Sequence, residues 1–137
     1  MTDVGLVAKK LVRIETCLAD LKRIDPANIE TDVVTERFVE HTLQIAIQSV
    51  IDIASHIVAD DHLGDPATNR DLFSLLHGAG WLDATQVQLL QRIVGFRNVL
   101  VHEYDAVDLR LVRLVAEEHT GDLQGFVDAV RGRAMRG

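Results

Sequence analysis

Residues 31–61 read TDVVTERFVEHTLQIAIQSVIDIASHIVADD. At roughly 100° per residue, Phe38, Val39, Leu43, Ile45, Ala46, Ile47, Val50, Ile51, Ile53, Ala54, Ile57 and Val58 cover most of a helical circumference. A narrow strip remains, holding Arg37, His41, Gln44, Gln48, Asp52 and Ser55. The periodicity predicts one long helix from about Thr31 to about Asp61, unusual in a small domain. A helix this apolar has to be covered on several sides. A chain of 137 residues supplies few covers, so a two-fold homodimer is expected. Gln44, Gln48 and Asp52 interrupt the apolar stretch, so no transmembrane helix is expected.

Working outward, the flanking segments also read as helices. Leu6, Val7, Leu11, Ile14, Leu18 and Leu21 recur at spacings of three and four, an amphipathic helix over residues 3–23. Asp25-Pro26 ends it, because the residue before proline is pushed out of the helical region. Asn28 or Thr31 is then expected to cap the long helix. Gly64-Asp65-Pro66 reads as a loop. Asn69 is expected to cap a short helix from Arg70 to Ala79, stopped at Gly78-Ala79-Gly80, with Trp81 and Leu82 plugging the turn. Asp83 should cap a fourth helix from Ala84 to about Val101, buried along Val87, Leu90, Ile93, Val94, Phe96, Leu100 and Val101. A fifth, from Val107 to about His119, turns Leu109, Val112 and Val115 or Leu114 inward. Gly121 separates it from a last short helix through Val130. With no strand or hairpin signal, the expected fold is all-α. It is a bundle of about five to six helices forming one domain over residues 1–130, then a basic, frayed tail over 131–137.

Composition bounds the function. The chain is 47% hydrophobic with two prolines, which argues against disorder. A single cysteine, Cys17, excludes an internal disulfide framework and fits a reducing compartment. The start, MTDVGLVAKKLVRIE, has no continuous apolar run of the secretory type, so a cytoplasmic protein is expected. A formal net charge of −7 argues against broad electrostatic adhesion to nucleic acid, which needs a basic surface. Any site for RNA or a nucleotide must then depend on a few placed arginines.

Residues 95–104, Gly-Phe-Arg-Asn-Val-Leu-Val-His-Glu-Tyr, are the chemically pointed stretch. Arginine holds a phosphate with a planar fork of donors, histidine moves a proton near neutral pH, and a tyrosine hydroxyl donates, accepts or is modified. With Arg97 at zero on an ideal helix, Tyr104 lies about 20° away, Asn98 about 100° and His102 about 140°. The four make one broad polar face, and loosening of the helix after Val101 would bring His102 nearer Arg97. Gly95 allows another helix to approach closely just before the motif. The competing reading is two cations placed against the dipole at a helix C-terminus. His41, Gln44, Gln48 and Asp52 either line the same cleft or form a solvated strip, and Asp52 is a candidate partner for Arg97 or His102 across helices.

The decapeptide resembles the R-x4-6-H signature of the HEPN superfamily, and more narrowly the HepT toxins of MntA–HepT toxin–antitoxin systems. The Ile-Asp-Ile-Ala-Ser-His segment at 51–56, the chain length and the helix order are similar too. The resemblance implies a metal-independent endoribonuclease in which the ribose 2′-hydroxyl attacks its own phosphodiester and leaves a 2′,3′-cyclic phosphate. It implies His102 as proton carrier and Arg97 as the residue neutralising transition-state charge. Asn98, Tyr104, Asp52 and Gln48 would be supporting or substrate-binding residues. It also implies a homodimer with both motifs in one cleft, and a MntA-like nucleotidyltransferase partner that adenylylates Tyr104 to O-AMP-tyrosine. The alternative is a HEPN module that binds a nucleotide or partner without cutting RNA.

No cofactor or metal is expected. His56 and Asp60 have helical i, i+4 ligand spacing, and His62 and Asp61 are near, but no matching second pair is present. Gly78-Ala79-Gly80 is too short for a phosphate loop. Cys17 reads as a small core residue.

Overall fold

The computed structural model describes residues 2–102 and 108–134, with Val101 and His102 described at the backbone only. The described residues form helices α1 (Val4–Leu21), α2 (Val33–Asp60), α3 (Asn69–Gly78), α4 (Ala84–His102), α5 (Leu109–Glu118) and α6 (Thr120–Ala134), with a 3₁₀ turn at Pro26–Asn28. The fold is all-α, as the apolar periodicities predict.

Short side chains with local acceptors set the helix starts. Asp3 accepts from Leu6 N–H, Asp108 from Arg110 N–H, and Asp32 from Val34 N–H. Asp32, and not Asn28 or Thr31, therefore caps α2. Thr68, and not Asn69, precedes the first residue of α3, where Asp71 accepts from the backbone N–H of Ala67 and Thr68. At the start of α4, Asp83 accepts from Gln86 N–H at 2.7 Å while Gln86 Oε1 accepts from Asp83 N–H at 3.0 Å, a reciprocal capping box. At the end of α3, Trp81 N–H reaches Leu76 O and Gly80 N–H reaches His77 O, with Gly80 at φ +83°. This pairing requires a left-handed residue, which glycine supplies without steric cost.

α2 is the axis of the molecule. Helices α1, α3, α4, α5 and α6 all pack on it. Val39, Leu43, Ala46, Ile47, Val50, Ile53, Ala54 and Ile57 are buried almost completely. The covers expected from a second copy come from the same chain, so the girth of α2 gives no argument for a dimer. By length and composition α2 is apolar enough to cross a membrane, but those side chains face the other helices. Thr42 and Ser49 are buried on it as well, their hydroxyls donating to the Phe38 and Ile45 carbonyls at 2.6 and 2.9 Å.

The last helix differs from its expected form. α6 begins at Thr120, takes in Gly121, and runs through residues 131–134, which were expected to fray. Two arginines hold that end. Arg131 donates to both oxygens of Glu15 on α1, at 2.5 and 3.1 Å. This contact holds the Glu15 carboxyl below its usual range, more than burial raises it. Arg133 donates to Ala79 O at 2.7 Å and lies 4.7 Å from the centre of the Trp81 ring, a cation–π contact across the end of α3. Phe126 of α6 meets Phe73 of α3 edge-on, centroids 6.4 Å apart.

Candidate functional site

The polar strip of α2 opens on a hollow at its seam with α1 and α4. Its volume is about 250 Å³, and it is lined by Arg13 of α1, Gln44, Ile45, Gln48, Ser49 and Asp52 of α2, and Arg97 of α4. A second hollow adjoins it along α2, sharing Asp52 and adding Lys10, Ser55 and His56. Four of the residues singled out in the sequence, Gln44, Gln48 and Asp52 of α2 and Arg97 of α4, therefore stand together although α2 and α4 are distant in the chain.

Electrostatics decides what this hollow can take. Gln48 Nε2 donates to Asp52 Oδ1 at 2.8 Å, and Lys10 Nζ lies 3.4 Å from Asp52 Oδ2. The expected cross-helix partner of Asp52 was Arg97 or His102, and among the described residues Lys10 occupies that role. With its one carboxylate engaged, the hollow keeps Arg13 and Arg97, neither of which has an ion pair or hydrogen bond with a described residue. Two guanidinium groups with no partner among the described residues, in one concave site, are chemically suited to an anion, on a chain of formal charge −7.

The dipole reading of Arg97 is weakened by the length of α4. α4 continues to His102, so Arg97 lies before the last turn, where the dipole effect has largely decayed. The backbone of His102 is still helical, and the residues after it lie outside the described ones. Five helical steps separate Arg97 from His102, a rise of about 7.5 Å and a rotation of about 140°. Asn98, about 100° round from Arg97, is exposed and outside the hollow. Tyr104 lies outside the described residues, as does the side chain of His102. His41 is exposed, and of the other strip residues Gln44 joins the hollow.

Gly95 does make a close approach possible, but to a side chain. A Cβ there would stand 2.6 Å from Arg70 Nη2 of α3. Sequence reading missed Lys10 and Arg13. The available signal was their i, i+3 spacing along the edge of the apolar stripe of α1, which aims both at whatever helix that stripe packs on.

The remaining candidates have structural roles. His62 takes a left-handed conformation, φ 53°, at the end of α2, where its N–H and that of Leu63 reach the Ala59 and Val58 carbonyls. Asp61 accepts from the Thr2 hydroxyl and Asp60 from Asp3 N–H, tying the start of α1 to the end of α2. Among the described residues no three His, Cys, Asp or Glu side chains converge as metal ligands would. Cys17 is buried, and burial pushes its thiol up, reinforced by Asp20 and opposed by Arg13.

The hollow around Arg97 is set in a fold that other proteins share. The family profile described as Ribonuclease HepT-like matches residues 10–130. The chain belongs to the HepT-like ribonuclease family. It is 29% identical over 128 residues to the mRNA nuclease HepT of Shewanella oneidensis, covering 92% of this chain and 96% of that one. The fold superposes with a TM-score of 0.86 on a tri-AMPylated Shewanella oneidensis HEPN toxin in complex with MNT antitoxin, at 29% identity over 96% of this chain and 99% of the other. A toxin–antitoxin structure with AMP-PNP gives a TM-score of 0.88 at 28% identity, over 93% and 98% of the two chains. In this HepT-like chain, α1, α2 and α4 therefore build the hollow on a fold shared with these toxins over nearly their whole length.

Proposed function

We propose that this HepT-like chain is a metal-independent endoribonuclease, the toxin of a cytoplasmic toxin–antitoxin pair whose partner is a nucleotidyltransferase. The observation that carries the reading is an Arg97 with no partner among the described residues, in a hollow whose described lining is net positive, in a chain of this family. In the reaction the ribose 2′-oxygen attacks the adjacent phosphorus, and the P–O5′ bond breaks. The product is a 2′,3′-cyclic phosphate and a 5′-hydroxyl. His102 carries the proton, from the 2′-hydroxyl as base or to the 5′-oxygen as acid. General catalysis of this kind contributes typically about 10²–10⁴-fold. Arg97 neutralises charge building on the phosphorane-like transition state, Asn98 orients the histidine or the phosphate, and Gln48 and Asp52 shape the wall.

Acid and base roles together want two protonatable groups, and one chain brings one histidine to the motif. A two-fold homodimer supplies the second, with Arg97 of one copy facing His102 of the other. The rotation between these residues along a single α4 supports this arrangement. Adenylylation of Tyr104 by the partner switches the enzyme off, since the added phosphate brings bulk and negative charge that compete with the phosphate of RNA. The tri-AMPylated HEPN toxin in complex with MNT antitoxin supports that reading.

The test is cleavage of a defined RNA in EDTA by protein free of AMP, beside His102→Ala, with the product ends identified. Cyclic phosphate ends from the wild type alone are expected. An inactive wild type refutes the enzyme. Mixed dimers of wild type and His102→Ala retaining half activity or more would refute the shared site.

A further inference from the structure

Arg13 lies within α1 and has no role in the motif of α4, yet it lines the same hollow as Arg97. We infer that Arg13 is a second phosphate-binding residue, which with Arg97 grips the sugar–phosphate backbone of single-stranded RNA in the furrow between α1, α2 and α4. The inference rests on the ribonuclease reading and adds to it a contact outside the reacting group.

Three observations carry it. Arg13 is exposed and has no ion pair or hydrogen bond with a described residue, so its guanidinium is not committed to holding the fold. Asp52, the acid among the described lining of the hollow, is already held by Lys10 and Gln48, so it does not draw Arg13 away from an incoming anion. The hollow holds about 250 Å³, roughly eight waters at ~30 Å³ each. That is below the ~300–1,000 Å³ of pockets enclosing drug-sized ligands. It suits one phosphate with its ribose, leaving bases outside, which is recognition of the backbone in place of sequence. Gln44, on the same wall and without a hydrogen-bond partner among the described residues, offers an amide to the ribose hydroxyl or phosphate oxygen.

The experiment measures binding of a fluorescent single-stranded RNA decamer to the full chain carrying His102→Ala, with and without Arg13→Ala, across a salt series. Arg13→Ala is expected to weaken binding about tenfold, as for loss of one charge-assisted contact open to solvent. It should also lower the steepness of log K against log salt by about 0.7, one phosphate contact on a single strand. Arg13→Lys should keep the salt slope and recover only part of the affinity, since an ammonium lacks the fork. With His102 intact, Arg13→Ala should raise KM about tenfold and leave kcat and its pH profile nearly unchanged, which a merely structural residue would not do. Arg23→Ala, in the turn beyond the end of α1 and absent from the lining of the hollow, serves as the control and should change neither quantity. Unchanged affinity and salt slope in Arg13→Ala, a fall confined to kcat, or no RNA binding by the His102→Ala protein overturns the inference. Cleavage by the wild type judges the ribonuclease reading separately. A cleaving enzyme indifferent to Arg13 refutes Arg13 alone, and RNA binding that needs Arg13 without cleavage refutes the enzyme alone.

Discussion

Replacing Glu40 by glutamine should make the protein more stable above neutral pH and leave it unchanged in acid. Glu40 is half-buried on α2, its Oε1 has no hydrogen-bond partner, and its pKa is pushed up to about 7 from 4.5. Burial is the largest cause, then the hydrogen bond and charge of Glu36 one turn away, against a smaller lowering by Arg37. Between the unfolded value and about 7 the native state holds a proton that the unfolded chain has released, so stability falls as pH rises. The contribution is complete below the unfolded pKa and lost once pH passes the folded one. At 1.36 kcal/mol per pKa unit the ceiling is about 3.4 kcal/mol. Solvent screening of a half-exposed pair reduces this to about 1–2 kcal/mol, a difference of about 3–8 °C in Tm for a domain of this size. The assay is thermal and urea unfolding of wild type and Glu40→Gln from pH 5 to pH 8. The depressed carboxyls of Glu15, Asp32 and Asp108 work in the opposite direction, their stability being lost as pH falls, but they are common to both proteins and cancel in the difference. Glu36→Gln should shrink the pH effect without abolishing it, because burial remains. Parallel profiles for wild type and Glu40→Gln would refute the reasoning, and complete loss of the effect in Glu36→Gln would refute burial as its leading cause.

Arg97→Ala should lower kcat for RNA cleavage about 10²–10³-fold, the usual cost of removing one transition-state donor, with Tm nearly unchanged because Arg97 supports no described neighbour; a large loss of Tm would mark it as structural. Phe126→Ala should cost about 3–5 kcal/mol in urea unfolding, since the ring is fully buried against Phe73. A cost below about 1 kcal/mol would show that α6 can collapse into the space. Gly80→Ala should destabilise by about 1–2 kcal/mol because of its positive φ. Gly95→Ala meets only the flexible end of Arg70 and should stabilise α4 by about 0.5–1 kcal/mol; a strong loss there would mean that Arg70 is held in place for a purpose.

Local rules made much of the molecule legible. The spacing of apolar residues located all six helices, because that periodicity is a property of each segment alone. Caps were less legible: Asp32 and Thr68 were passed over for near neighbours with equal capping chemistry, and only the path of the chain selects among them. The run to Ala134 was missed because Arg131 and Arg133 look like a solvated tail until Glu15, Ala79 and Trp81 are brought beneath them. The motif on α4 was readable as a string, but its face was divided: Arg97 enters the hollow and Asn98 stays exposed.

By itself the sequence determined the fold class, the helix order and the decapeptide that names the family, since these depend on neighbours within a turn or two. Tertiary structure decided which groups share a charge environment. It covered α2 from within one chain, paired Asp52 with Lys10, and set Arg13 beside Arg97 across more than eighty positions. Electrostatic interaction depends on separation in space, and only the packing of α1, α2 and α4 fixes that separation.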